Sequence, residues 1–247
     1  MNFYPIFKKE LKSYFGSMMA YIVVAVFLAV FGHFFYSTLI YYDVVRPNVS
    51  ANSGILWPLF TNSSVILLFI VPLLTMRVFS EEKKLGTIEV FFTYPLRDAE
   101  LLLGKFAACL GIFSLMLLLT SVCPILLSTI YELEIMPIIS GYLGLFLMGA
   151  AFISLGILIS ALTENQIVAA MVTCGLLFIF WSLAFNEYAL GTTWARIINH
   201  LSFLSHHRNF VKGIIETKAI VYFLNFNIFC LTLTLLALQS KRWRGLR

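Results

Sequence analysis

The chain has 247 residues, of which 60% are hydrophobic and only 12% charged, with a formal net charge of +5. A soluble domain of this size needs a polar shell that so few charged residues cannot supply. A transmembrane β-barrel is excluded too, because its strands alternate apolar and polar side chains, whereas the long segments here are apolar all round.

At the N-terminus, Phe3, Ile6, Phe7, Leu11, Tyr14 and Phe15 fall on one helical face, and Lys8, Lys9 and Lys12 on the other. This predicts an amphipathic helix over residues 1–16, lying in the membrane interface with its lysines toward lipid phosphates. Glu10 falls within the apolar arc, where a carboxylate is costly unless a cation faces it.

Six runs then follow without Asp, Glu, Lys or Arg: Ser13 to Tyr42, Ile55 to Met76, Phe106 to Tyr131, Ile135 to Thr163, Asn165 to Asn186 and Ala219 to Ser240. Each is long enough to cross about 30 Å of hydrocarbon as a helix. The expected architecture is an all-α, polytopic membrane protein forming one transmembrane domain, with spans at 18–41, 55–76, 106–131, 137–162, 166–186 and 219–240. The polar segment Asp43 to Gly54 reads as a turn between the first two spans.

Basic residues give the orientation. Lys8, Lys9 and Lys12, then Arg77, Lys83, Lys84, Arg97 and Lys105, then Lys241, Arg242, Arg244 and Arg247 make up twelve of the seventeen Lys and Arg. That asymmetry puts both termini and residues 77–105 in the cytoplasm. The loop 187–218 departs from this asymmetry, with Arg196, Arg208, Lys212 and Lys218 on the opposite side.

Residues 77–105 hold ten of the chain's twenty-nine charges. Ser80 is placed to cap a short helix with Glu81 and Glu82 in its first turn, Pro95 to stop that segment, and Asp98 to cap the helix leading into the third span. A short charged helix held between two spans has the geometry of a handle for a cytoplasmic partner; a plain solvated loop is the alternative. In the fourth span, Ala150 with Ser154 and Gly156 with Ser160 repeat small residues at helical spacing, which permits close helix packing. In 187–218, Trp194, Ile197, Ile198, Leu201 and Leu204 share one face, predicting an amphipathic external segment.

Cys109, Cys123, Cys174 and Cys230 fall inside spans and imply no disulfide framework. His200, His206 and His207, with Glu216, lack the spacing of a metal site. His33, deep in the first span, is expected to sit neutral and hydrogen-bonded to a neighbouring helix. No G-x-x-x-x-G-K-[ST] loop occurs, so nucleotide hydrolysis is expected in another chain.

The stretch Met76-Arg77-x-Phe79-x-Glu81-Glu82-Lys83-x-x-Gly86-Thr87-x-Glu89-x-x-x-Thr93-x-Pro95, followed by Gly104-Lys105-Phe106, resembles the cytoplasmic loop of ABC-2 type permeases. Within that family it resembles the permease subgroup of the gliding-motility and nitrous-oxide-accessory type. Leu158 to Ala170 is similar to the subgroup's cytoplasmic turn, and Leu201 to His206 with Phe210, Gly213, Ile214, Ile215 and Glu216 to its last external loop.

The resemblance implies half of an exporter in the bacterial cytoplasmic membrane. A dimer with a second copy or a related permease would form the path, and a separate cytoplasmic ABC ATPase, holding ATP and Mg, would grip residues Ser80 to Glu89. Trp194, His206, Phe210, Gly213 and Glu216 would belong to the external loop. This chain would hold no cofactor or metal and bind no nucleic acid. Two other functions compete: a membrane anchor that couples an ATPase mechanically without transport, and an intramembrane hydrolase using Ser63, Ser64, Ser114 or Ser154, around which no nucleophile motif is found.

Overall fold

The structure, a computed structural model, describes residues 3–45, 52–86, 98–131, 133–183 and 201–244. All regular structure among them is helical. In chain order the helices are α1 (Phe3–Gly16), α2 (Met18–Val45), α3 (Trp57–Thr75, preceded by a π-helical turn at Asn52–Leu56), α4 (Ser80–Lys84), α5 (Asp98–Thr120), α6 (Val122–Ser128), α7 (Ile135–Leu162), α8 (Gln166–Ser182), α9 (Phe203–Val211) and α10 (Thr217–Arg244).

Five helical segments are long and apolar enough to cross a membrane: Met18–Val44, Gly54–Lys84, Asp98–Ser128, Ile135–Leu162 and Thr217–Ser240. The chain is therefore a multi-pass membrane protein. The fifth expected run differs: α8 is apolar but has 17 described residues, about 25 Å of helix at the usual rise. Residues 184–186, which would complete that run, lie outside the described residues, as do Thr87, Glu89, Pro95 and Trp194 of the expected sites.

A proline sets the break between α5 and α6. A proline ring clashes with the carbonyl four residues before it and donates no hydrogen bond. Pro124 stands four residues after Thr120, where α5 ends, and α6 resumes two residues later. Helix α5 begins at Asp98 and carries Lys105 in its second turn, so the helix expected from Asp98 through Lys105 runs on without a break into the third membrane segment. Ser80 is the first residue of α4 and not its cap; Phe79 holds the cap position, and the Ser80 hydroxyl bonds back to the Met76 carbonyl.

Helix α7 is the central post, packed against α3, α5, α8, α9 and α10. Of its most apolar stretch 78% is buried, against 17% for α2, which runs along the outside. The small residues of α7 explain its position. An added Cβ at Gly149 would lie 2.2 Å from the Phe113 ring of α5, and one at Gly156 would lie 2.1 Å from Thr75 Oγ1 of α3. The repeat seen in the sequence therefore serves packing within the chain. His33 does not meet the expected neighbour: it faces outward from α2, and its ring contact is with Phe34 on the same helix, at 6.0 Å between centroids.

Candidate functional site

Helix α3 ends at Thr75, and the turn into α4 takes three of its backbone hydrogen bonds from a side chain on α7. One hydroxyl makes all three. Ser160, near the end of α7, accepts from the amides of Phe79 (3.0 Å) and Ser80 (3.1 Å) and donates to the Met76 carbonyl (3.1 Å). A serine hydroxyl has one donor and two acceptor sites, so Ser160 is fully used. Lys83 adds a second tie by donating to the carbonyl of Ala161 at the C-terminal end of α7, where cations are favoured by the helix dipole.

A third tie runs through Lys105, whose side chain is 2% exposed. Its ammonium donates to Glu82 Oε1 on α4 (2.7 Å), Glu10 Oε1 on α1 (3.2 Å) and the Val78 carbonyl (3.1 Å). It also lies 5.3 Å from the centroid of the Phe79 ring. All three ammonium donors are thus spent inside the protein. This one side chain links α1, the turn after α3 and α4.

The apolar face of α1 is correspondingly covered by α5. Ile6 is buried against Gly104, Phe7 and Leu11 approach Gly111, and Tyr14 donates to the Leu74 carbonyl at 3.2 Å. Burial, with Cys109, Glu10 and Glu82 close by, holds the Tyr14 phenol well above its ordinary pKa. Lys8, Lys9 and Lys12 are exposed on the opposite face. Phe3 begins the helix. Glu10, anomalous in the sequence, has the cation that its position demands.

The expected coupling residues thus divide. Ser80, Glu82 and Lys83 point inward, into the ties that fix α4. Glu81 pairs loosely with Arg77 at 4.0 Å, with both side chains well exposed. Lys84, Leu85 and Gly86 form an exposed tip, and Gly86 has the positive φ of 69° that ends the helix. Sequence reasoning missed the roles of Ser160 and Lys105. Glu10 in its apolar arc was the available signal for the second; nothing in the pattern marked the first.

The second group of expected residues assembles around α9. Ser202 caps this helix, accepting from the Ser205 amide at 3.3 Å. Phe210 packs on Gly144 of α7, and its carbonyl accepts from Ser140 at 2.6 Å. Gly213, with φ of 85°, turns the chain beside Pro137, and Glu216 accepts from Asn209 at 2.7 Å to close the turn before α10. His206 stacks on Tyr222 at 4.1 Å. Among the described residues no group of three His, Cys, Asp or Glu is arranged to hold a metal.

His207, next to these, is fully buried, and neither ring nitrogen makes a hydrogen bond. Burial pushes its pKa down from 6.5 to about 4. The unfolded chain takes up this proton near pH 6.5 and the folded chain only near pH 4, so stability is present above the first value and lost as pH falls toward the second. That difference is worth roughly 3 kcal/mol at its full extent. In thermal unfolding of the purified chain at pH 7 and pH 4.5, His207→Leu should lose less stability on acidification than the wild type.

The described residues thus form an all-helical, multi-pass membrane protein in which a short charged helix is tied to the ends of several longer ones. A family model described as ABC-2 family transporter protein matches residues 47–238, more than three quarters of the chain. The chain belongs to this family, whose members usually work as membrane subunits beside a cytoplasmic ABC ATPase. No curated protein matches it.

Proposed function

We propose that this chain is the permease subunit of an ATP-driven exporter in the bacterial cytoplasmic membrane, of the gliding-motility and nitrous-oxide-accessory type. It crosses the membrane six times, α8 and the residues after it forming the fifth crossing, with both termini in the cytoplasm. Two permeases, either two copies or this chain and a relative, enclose the path. A separate ABC ATPase that holds ATP and Mg grips α4 and the stretch through Thr87, Glu89 and Pro95. Helix α1 lies in the cytoplasmic interface, and Trp194, His206, Phe210, Gly213 and Glu216 belong to the external loop.

The observation that carries this reading is the way α4 is fastened. Ser160, Lys83 and Lys105 tie it to α7, α5 and α1, while Lys84 and Leu85 remain outside, Leu85 at 67% exposure. A handle with a free tip and rigid attachments passes a push from its partner to three helices at once, which is the requirement for rigid-body switching between membrane states. Leu85, exposed just after Lys83 and Lys84, gives this tip an apolar surface that a partner can cover.

The test is co-purification of the full chain, expressed in its native cell, with a P-loop ATPase. Leu85→Asp and Lys84→Glu should each reduce recovery of the ATPase at least about tenfold, a loss of the size that removing one central anchor causes, while the permease keeps its wild-type melting temperature. Undiminished recovery from both variants would count against the handle. ATP-dependent movement of an amphipathic substrate into reconstituted vesicles separates an exporter from a mechanical anchor.

A further inference from the structure

Beside α4 lies a cavity of about 330 Å³, lined in part by Glu81 and Glu82 of that helix and by Leu85 after it. Its walls come from the elbow between α1 and α2, the first turns of α2, the end of α3 and the Lys105 region of α5. The segments Met18–Val44 and Asp98–Ser128 begin here, and Gly54–Lys84 ends here. Where three spans terminate together, the surrounding medium is the lipid headgroup layer.

The lining is divided in character. Ala20, Val23 and Leu73 form an apolar wall on the side of the spans; Arg77, Glu81, Glu82, Lys105 and Glu10 form the polar side. Lys105 is already bracketed by Glu10 and Glu82, at 3.2 and 2.7 Å. Arg77 and Glu81 remain, a pair stretched to 4.0 Å with side chains 39% and 44% exposed. Arg77 Nε is sheltered from water yet makes no hydrogen bond, a costly arrangement for a cationic donor unless an acceptor enters the cavity.

A guanidinium in this position suits phosphate oxygens, which it binds through its planar fork of donors. Glu81, beside it, suits an ammonium. A purely anionic head would meet three carboxylates against two cations, and a purely cationic head would leave Arg77 unsatisfied. The volume is at the low end of the roughly 300–1,000 Å³ usual for small-molecule sites, enough for a headgroup with its chains lying outside.

We propose that this cavity binds the phosphoethanolamine headgroup of a phospholipid, with phosphate on Arg77, the primary amine on Glu81, and the upper acyl chain against Ala20, Val23 and Leu73. A choline head fits less well, because its methylated nitrogen has no N–H to give Glu81. The same phosphate-and-amine chemistry exists in free phosphoethanolamine, which lacks the chain that the apolar wall would hold.

The experiment is thermal unfolding of the purified full chain in detergent, without the ATPase, so that its outcome is independent of the coupling proposal. The additives are dioctanoyl phosphatidylethanolamine, phosphatidylcholine and phosphatidylglycerol, and free phosphoethanolamine. The ethanolamine lipid should raise Tm by about 2 °C or more at saturation, and the other three by clearly less. Arg77→Gln and Ala20→Leu should each remove the response, the first by deleting the fork and the second by filling the cavity; should Ala20→Leu fail to fold, Glu81→Gln takes its place. An equal response to the choline lipid or to free phosphoethanolamine, no response to any additive, or a full response in Arg77→Gln would each overturn the proposal.

Discussion

Replacing Lys105 with methionine should be among the most destabilising single changes available in this chain, costing about 3 kcal/mol, the lower end of what breaking a buried ion pair costs. Methionine fills the space of the lysine stem, so the loss is of charge and hydrogen bonds and not of volume. It leaves Glu10 and Glu82, which are 15% and 18% exposed, facing one another with no cation between them, and it strips the Val78 carbonyl of its donor. In thermal unfolding this corresponds to a drop on the order of 10 °C. Combining the change with Glu10→Gln and Glu82→Gln should restore part of the loss, because the repulsion goes while the shape stays. The contrasting pair is Arg77 and Glu81, at 4.0 Å and well exposed; Glu81→Gln should cost less than about 1 kcal/mol, as for most surface pairs. If Lys105→Met melted with the wild type, the three-helix tie would carry no weight.

The unequal legibility of this site has physical causes. Hydropathy marks membrane segments because lipid demands long uncharged runs, and five of the six expected runs appear as helices of sufficient length. The boundaries were harder to read. Lys105, taken at face value, belongs with the cytoplasmic charges, and only the carboxylate of Glu10, on a distant part of the chain, shows that a cation must be buried. Two charges separated by ninety-five positions leave no local pattern; each looks like an anomaly or a loop residue until the helices are brought together. Ser160 is less visible still. Its small size marks it for close packing, whereas its role depends on which backbone groups the end of α3 leaves free. The break at Thr120 was readable in principle, from Pro124 four residues on. The handle was legible as charge density; its fastening was not, because fastening is a property of α1, α5 and α7 as much as of α4.

Adding a single methyl group to the face of α7 should be nearly as damaging as losing Lys105. Between membrane helices apolar surface gains little from leaving lipid, so close van der Waals packing carries more of the association than in a soluble protein. The Cβ of Gly156→Ala would lie 2.1 Å from Thr75 Oγ1 and 2.8 Å from Thr75 Cβ. The Thr75 hydroxyl is held by its bond to the Val71 carbonyl at 2.9 Å, so it cannot rotate away without losing that partner. Gly149→Ala meets the Phe113 ring at 2.2 Å, with Phe113 itself fully buried. Each should cost about 1–3 kcal/mol, the usual range for overpacking. Gly175→Ala on α8, where nothing lies within 4 Å of the added Cβ, should be neutral or slightly stabilising, since alanine is the better helix former. Thr75→Ala should partly rescue Gly156→Ala, because it removes the nearest contact and leaves only the one at 2.8 Å. Gly156 lies one helical turn before Ser160, on the same face of α7, so whatever pushes α7 away from α3 also draws Ser160 away from the amides of Phe79 and Ser80. Gly156→Ala should therefore loosen α4 as well as lower Tm, and the measure that separates the two effects is recovery of the ATPase at a temperature where the variant remains folded. Recovery should fall there for Gly156→Ala and hold for Gly149→Ala, whose clash is farther from the handle; equal recovery for both would show that α7 does not transmit its position to the coupling helix.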